Sequence, residues 1–292
     1  MRVAIFSRVY KLQDREYIQQ LYDELYRNEF DVYSHTAYYE QIVGNIRLSD
    51  DNQFSSYKDL KTSKIDYLIS LGGDGTILDA LTLVRDTGVP IMGINLGRLG
   101  FLATIDKHSI VAAVRSLKDR AFEVDQRTLL HLDADPPIFG DMSFALNDCT
   151  VLRSDSSSMI IIHTYINGEF LNSYWADGLI ISTPAGSTGY SLSCGGPIIY
   201  PNSGNFIITP VAPHNLNVRP IVIPDDAVIS FEVEGRAKEF LCTLDTRQTR
   251  IKSSYELAIS KEKFTAGIIR LHNRNFLSTL REKLFWGVDT RN

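Results

Sequence analysis

"LISLGGDGTILDALTLV", residues 68–84, decides the fold of the first part of the chain. It opens as an unbroken apolar run fit for a strand buried on both faces. It closes with helical spacing, around 77–85. A strand that passes through a glycine turn straight into a helix is the βα unit of a parallel sheet. The flanking sequence repeats the pattern. "VAIFS" (3–7), "FDVYSH" (30–35) and "VPIMGIN" (89–95) read as strands. "REYIQQLYDELYRN" sets Ile18, Leu21, Tyr22, Leu25 and Tyr26 on one helical stripe, and "KHSIVAAVRSLKDR" (107–120) is another helix. "RLSDDNQFSSYKD" (47–59) is polar and reads as a surface loop. Residues 1–120 are therefore expected to form an α/β domain, doubly wound around a mostly parallel sheet.

The character changes after residue 121. "FEVDQRTLLHLDA", "SFALNDCTVLR", "MIIIHTYING", "DGLIIST", "NFIIT", "AVISFEVEG", "EFLCTLD" and "YELAIS" are strand-like, and Gly, Asn, Asp and Pro separate many of them. Residues 121–265 are expected to form a β-rich domain. Helical periodicity returns only in "FLSTLREKLFWG" (276–287). There Leu277, Leu280 and Leu284 share a face and Trp286 takes a core position, so 266–292 is expected to return to the α/β domain.

The bulk properties narrow the function. The 292 residues are 44% hydrophobic and 22% charged with net charge −5. That argues against an obligate binder of nucleic acid or anionic membrane. No stretch approaches a membrane span, and the apolar run in "MRVAIFSRVY" is too short for a signal peptide. Cys149, Cys194 and Cys242 fit no zinc pattern and read as free thiols in a reducing compartment. The expectation is a soluble, cytoplasmic protein. The six histidines show no metal-ligand spacing, and Tyr22, Tyr26 and Trp286 read as helix-core aromatics.

The chemistry starts in the 72–76 turn. Gly72, Gly73 and Gly75 let a backbone close on a phosphate, and Thr76 with the first amides of the following helix can hold an anion. The plain alternative is a strand–turn–helix junction with no ligand. Asp74 tips the balance, because an acid is a poor choice for holding phosphate alone. It becomes useful where a hydroxyl must be activated beside a polyphosphate whose charge a divalent cation screens. "GINLGRLGFLA" (93–103) adds a second glycine stretch, in which Arg98 serves equally as phosphate ligand or loop clamp. The dinucleotide fingerprint GxGxxG does not occur. "DGLIISTPAGSTGYSLSCGGPI" (177–198) runs a strand into a long segment of small and hydroxylated residues, suited to a planar base or ribose. Its "GSTG" is not a hydrolase nucleophile elbow. The plain reading is a loop with Ser187 or Thr188 as a helix N-cap. In "ALNDCTV" (145–151), Asn147 and Asp148 are either a bulge with satisfied side chains or a ribose-binding pair.

Taken in order, "GGDGT" (72–76), "GINLGRLGFLA" (93–103), "LNDCTVLR" (146–153), "DGLIISTPAGSTGYSLSCGGPI" (177–198) and "ITPVAPHNLNVRP" (208–220) span nearly the whole chain, and the sequence resembles the NAD kinase family. "GGDG" alone is shared with phosphofructokinases and with diacylglycerol- and sphingosine-type lipid kinases. The resemblance implies transfer of the γ-phosphoryl group of ATP to the 2′-hydroxyl of the adenosine ribose of NAD, giving NADP. It also implies a divalent cation, Mg²⁺ foremost, and a homo-oligomer, dimer or tetramer. It assigns Asp74 as proton acceptor near the ribose hydroxyl, with Gly75 beside the dinucleotide. Asn147 and Asp148 match the pair that grips NAD, and Asp177 a carboxylate at the nicotinamide end. Thr188, Gly189, Tyr190, Ser191, Leu192 and Ser193 match the pocket lining, and Ala212 a further pocket position. Asn-Asp stands where Asn-Glu is common, and Gly189 where alanine is frequent. Trp175 and Asp79 stand at positions that are often basic, and Arg247 where glutamine is expected. Two other readings compete: a lipid kinase with the same glycine turn, and a catalytically silent dinucleotide-binding regulator.

Overall fold

The structure, a computed structural model, describes residues 1–49, 52–154, 159–272 and 275–284. It divides into two units. Met1–Gln126 and the segment from Ala266 onward form one, and Arg127–Thr265 the other.

The first unit is built on β1 (Arg2–Phe6), β2 (Asp31–His35), β3 (Asn52–Phe54), β4 (Tyr67–Leu71), β5 (Ile91–Asn95), β6 (Ile105–Asp106) and β7 (Glu123–Arg127). The C-terminal strand Ala266–Arg270 joins them. The sheet order is β3-β2-β1-β4-β5, then the C-terminal strand, then β7, with β6 also on β5. The pairings of β1 with β2 and β4, and of β4 with β5, are parallel. Ile5 lies opposite Ile69, and Ile69 opposite Met92.

Helices cover both faces. Ile18, Leu21, Tyr22 and Leu25 of α1 (Arg15–Arg27) and Ile110, Val114 and Leu117 of α5 (Ile110–Asp119) pack on Val3, Ile5, Ile69 and Ile94. On the opposite side α4 (Asp74–Val84) packs against β4 and β5, and α3 (Tyr57–Thr62) against α4. Both faces being covered, β4 and β5 are buried at every residue, which explains their unbroken apolar runs.

Two local expectations need correction, and one helix, α2 (Thr36–Ile42), has no counterpart in the sequence reading. The 47–59 stretch is not all loop, since it contributes β3 and leads into α3. Ser56 and Asp59 form a reciprocal capping box that nucleates α3 despite the polar sequence. Helix α2 (Thr36–Ile42) follows β2 directly and buries Tyr38 and Ile42, one turn apart. In α7 (Phe276–Leu284), Thr279 and Leu280 are buried while Leu277 is half exposed. That helix returns to the first unit through Phe276, whose ring lies 6.4 Å from that of Phe101, and through Lys283 above the Phe101 ring. Trp286 lies outside the described residues.

The second unit contains β8 (Leu130–Asp135), β9 (Phe144–Ala145), β10 (Asp148–Arg153), β11 (Ile160–Ile166), β12 (Glu169–Ala176), β13 (Gly178–Ser182), β14 (Asn205–Val211), β15 (Ile221–Pro224), β16 (Ile229–Glu234), β17 (Phe240–Leu244), β18 (Arg247–Ile251) and β19 (Glu256–Lys261). They form two six-stranded sheets, ordered β15-β14-β13-β10-β17-β18 and β12-β11-β16-β19-β8-β9. Their pairings are antiparallel. Alternate residues point inward: Cys149 and Val151, Phe206 and Ile208, and Phe240, Cys242 and Leu244 from the first sheet. Ile160 and Ile162, and Ile229, Phe231 and Val233, come from the second. One core joins the two sheets, as in a sandwich. The three cysteines are free thiols. Among the described residues no helix is long and apolar enough to cross a membrane.

Phe206 is wholly buried in this core. Phe206→Ala should lower the unfolding free energy by about 3–5 kcal/mol, read as a shifted urea midpoint with unchanged slope.

Candidate active site

The turn after β4 has one demanding backbone position. Gly72 has φ +150°, and a Cβ there would lie 2.3 Å from Thr76 Oγ1. Gly73 is the N-cap of α4 and offers no side chain to the first helical amides. Thr76 N–H already donates to the Gly73 carbonyl at 2.9 Å, and the helix dipole at this end favours an anion. A cavity of about 310 Å³ opens beside the turn, lined by Gly72, Gly73 and Thr76 together with Arg98. Asn95 fixes the backbone around Arg98: its Nδ2 donates to the Arg98 carbonyl, and its Oδ1 accepts from Gly97 N–H at 2.7 Å. The exposed Arg98 side chain is a wall of the cavity.

Asp74 is more than a lone acid in a glycine turn. Its Oδ2 accepts from Phe101 N–H at 2.8 Å, and its Oδ1 from Leu102 N–H at 3.0 Å and Ala103 N–H at 2.9 Å. The carboxylate thus holds the end of the second glycine stretch. Gly100 is what lets it do so, since a Cβ there would lie 1.8 Å from Asp74 Oδ1. Gly93 plays a similar part in β5, where a Cβ would meet Ile77 Cδ1 at 2.4 Å and Ala103 Cα at 2.9 Å. An ionised carboxylate offers about four acceptor directions. Three are taken, and one is left open.

The second unit repeats the device. Asp245, in the β17–β18 turn at φ +53°, accepts from the N–H groups of Leu146 (2.8 Å), Asn147 (2.7 Å) and Asp148 (3.2 Å). This fixes the entry to β10 and presents Asn147 and Asp148 together. Asn147 Oδ1 is sealed from solvent with no hydrogen-bond partner. Burial, and then the nearby Asp245 charge, push the Asp148 carboxyl up to about 7, against a smaller opposing bond from Thr150 Oγ1. Burial likewise pushes Asp245 up, opposed by its three amide donors.

The small-residue segment after β13 packs on the same entry. Thr183 N–H donates to the Asn147 carbonyl at 2.9 Å. Gly186 fits only as glycine, because a Cβ would lie 2.1 Å from that oxygen. Neither Ser187 nor Thr188 is a helix cap. Gly189 precedes the short α6 (Tyr190–Ser193), and Ser187 Oγ donates to the Pro184 carbonyl at 2.7 Å. A Cβ on Gly189 would come within 4.0 Å of Asn147 Nδ2. Thr188, Tyr190, Leu192 and Ser193 are at least partly exposed, whereas Ser191 is buried and shares a 2.8 Å hydrogen bond with Thr209. Asp177 pairs with Arg153 at 3.1 Å, and its N–H donates to Val211 just before the exposed Ala212.

The three unusual positions have distinct surroundings. Arg247 donates to the carbonyls of Met142 and Phe144 and lies over the Phe144 ring at 5.2 Å, so it is a clamp within the sandwich. Asp79 forms an ion pair with Arg8. Trp175 is half exposed on the edge strand β12. The sequence reading missed Asp245 and Gly100. Asp245 had a signal, a polar turn residue between two strand-like runs. The need for glycine at 100 appears only once Asp74 is placed against it.

Family models for the ATP-NAD kinase N-terminal and C-terminal domains match residues 3–121 and 146–271. The chain is 47% identical to the NAD kinase of Cytophaga hutchinsonii over 294 residues, and 39% identical to that of Bacteroides fragilis over 298, with all of each chain covered. Among solved structures it resembles yeast NADH kinase complexed with NADH at 22% identity and TM-score 0.90, covering all of this chain and 89% of that one. It also resembles an NAD kinase from Archaeoglobus fulgidus in complex with ATP at 25% identity and TM-score 0.75, covering 96% and 99%.

Two outcomes follow from this geometry. Gly100→Ala should destabilise the protein by about 1–3 kcal/mol in chemical denaturation, because the added methyl overlaps the Asp74 carboxylate. Asp148, raised in the folded state, keeps its proton there while the unfolded chain has already lost it. Stability should therefore fall as pH rises from about 4 to about 7. Asp148→Asn should flatten that part of a melting-temperature–pH profile.

Proposed function

The chain belongs to the NAD kinase family, and on that premise we propose how its own residues carry out the transfer of the terminal phosphoryl group of ATP to NAD. The enzyme is a phosphotransferase whose product is NADP. The proton of the adenosine ribose 2′-hydroxyl goes to Asp74, the observation that carries this assignment being its one remaining acceptor direction. A base held by three backbone amides is already oriented before substrate arrives, which favours positioned proton transfer. Gly72, Gly73, Gly75 and Thr76 cradle donor phosphate at the start of α4.

Asn147 and Asp148 grip NAD through its hydroxyls, supported by the unpartnered Asn147 Oδ1. Asp177 serves the nicotinamide end, and Thr188, Gly189, Tyr190, Leu192, Ser193 and Ala212 line the dinucleotide pocket. Ser191 belongs to that segment by position but spends its hydroxyl on Thr209, so its part is to hold the segment in place.

A divalent cation, Mg²⁺ foremost, belongs to the proposal. It screens the charge of the donor phosphates and is bound by oxygen. Among the described residues no cluster of three or more His, Cys, Asp or Glu side chains could hold it alone, which suits a cation carried mainly by the triphosphate. A homo-oligomer and a cytoplasmic location complete the reading. The exposed Phe170 and Trp175 on the edge strand β12 favour the first, and three free thiols the second.

The protein, incubated with ATP, Mg²⁺ and NAD, should yield NADP. Asp74→Asn should cut turnover roughly 10²–10⁴-fold and, because an amide has only one acceptor oxygen for three N–H groups, should also lower the melting temperature. Undiminished turnover in that variant would remove Asp74 from the role.

A further inference from the structure

The sheet of the first unit reverses its strand order at β1. β2 and β3 are added on one side, β4 and β5 on the other. In open parallel sheets the carboxyl ends at such a reversal leave a crevice that takes ligands. Here that crevice is the 310 Å³ cavity. Its wall opposite the glycine turn is the segment after β1, with Arg8, Lys11 and Asp14 lining it. Ser7 Oγ ties the two strand ends together by donating to the Leu71 carbonyl at 2.7 Å.

Asp14 is the anomaly in this wall. It occupies the N-cap of α1, where an aspartate ordinarily accepts from a helical amide, yet it makes no such bond. Its side chain is only 3% exposed, and its Oδ1 is sealed from solvent without a partner. An acid buried this way is costly unless something compensates its charge. Two neighbouring oxygens share the condition, since the hydroxyls of Tyr10 and Tyr38 are also sealed and unpartnered.

The rest of the cavity is cationic. Arg8, anchored by Asp79, has its Nη1 3.2 Å from where a Gly75 Cβ would stand, so its guanidinium lies over the first turn of α4. Lys11 and Arg98 line the same space. Three cations beside the N-terminal end of α4 suit a polyphosphate. A site for phosphate alone has no use for a buried acid in its wall. A hard divalent cation uses both, because carboxylate, hydroxyl and phosphate oxygens are its preferred ligands. We infer that Asp14 is a protein ligand of the divalent cation that accompanies the donor triphosphate, in a cavity whose phosphate-facing charges are Arg8, Lys11 and Arg98. This rests on the kinase reading above.

The test uses the full chain with Mn²⁺ and a non-hydrolysable ATP analogue, free Mn²⁺ being followed by electron paramagnetic resonance. Asp14→Asn should weaken Mn²⁺ binding about tenfold or more, with NAD affinity unchanged. Asp14→Cys should raise the preference for Cd²⁺ over Mn²⁺ by about tenfold or more, because a thiolate favours the softer ion. Equal Mn²⁺ binding by wild type and Asp14→Asn, or an unchanged metal preference in Asp14→Cys, overturns the inference. Should both variants fail to fold, the wild type decides: bound Mn²⁺ must broaden the Tyr10 and Tyr38 ring signals in NMR, and their survival overturns it. NADP formation by the wild type is scored separately. Its absence sinks the kinase reading, while the Mn²⁺ measurements still decide the role of Asp14.

Discussion

One carboxylate gathering three consecutive amides is the interaction on which the candidate site depends. Asp74 pulls in the N–H groups of Phe101, Leu102 and Ala103 and thereby closes the β5 loop onto the start of α4. Loops that leave the ends of parallel strands carry amides with no ladder partner, and a buried amide must find one. Hydrogen bonds to a charged acceptor are among the stronger ones available. The acid fixes the loop, and on the proposed reading it also receives the proton. Both follow from its place at the first turn of a helix that begins at the carboxyl end of a strand.

Asp245 shows that the device is not peculiar to the glycine turn. It orders Leu146, Asn147 and Asp148 by the same means and leaves a second carboxyl, Asp148, crowded beside it. The crowding has an electrostatic consequence. Asp148 is pushed up to about 7 by burial and by Asp245, so its charge is poised near neutrality. In both units glycine is the enabling residue. Gly100 gives way to Asp74 and Gly186 to the Asn147 carbonyl, where any side chain would overlap an oxygen.

Much of this was legible in the sequence. The apolar runs of β4 and β5 and the stripe of α1 announced a parallel sheet covered on both faces, and the turn-punctuated runs after residue 121 announced a β-rich region. The 72–76 turn pointed to phosphate chemistry through its three glycines and the acid set among them. What escaped has physical reasons. Polar residues 56–59 form a helix start through a reciprocal cap, which hydrophobic periodicity does not detect. Arg247 stood out as a departure, and only its bonds to Met142 and Phe144 show that it serves the sandwich. Ser191, placed in the pocket segment by the resemblance, also bonds inward to Thr209, which its sequence neighbours do not announce. Asp14 and Asp245 act through contacts with residues distant in sequence or through burial, and neither leaves a local pattern.

The most direct test is a structure of the protein with NAD and a non-hydrolysable ATP analogue bound together. The ribose 2′-hydroxyl should lie about 2.6–3.2 Å from an Asp74 carboxylate oxygen, at the acceptor direction its three amides leave open. A 2′-hydroxyl turned away from Asp74, with that carboxylate still bonded only to the amides of residues 101–103, would contradict the account.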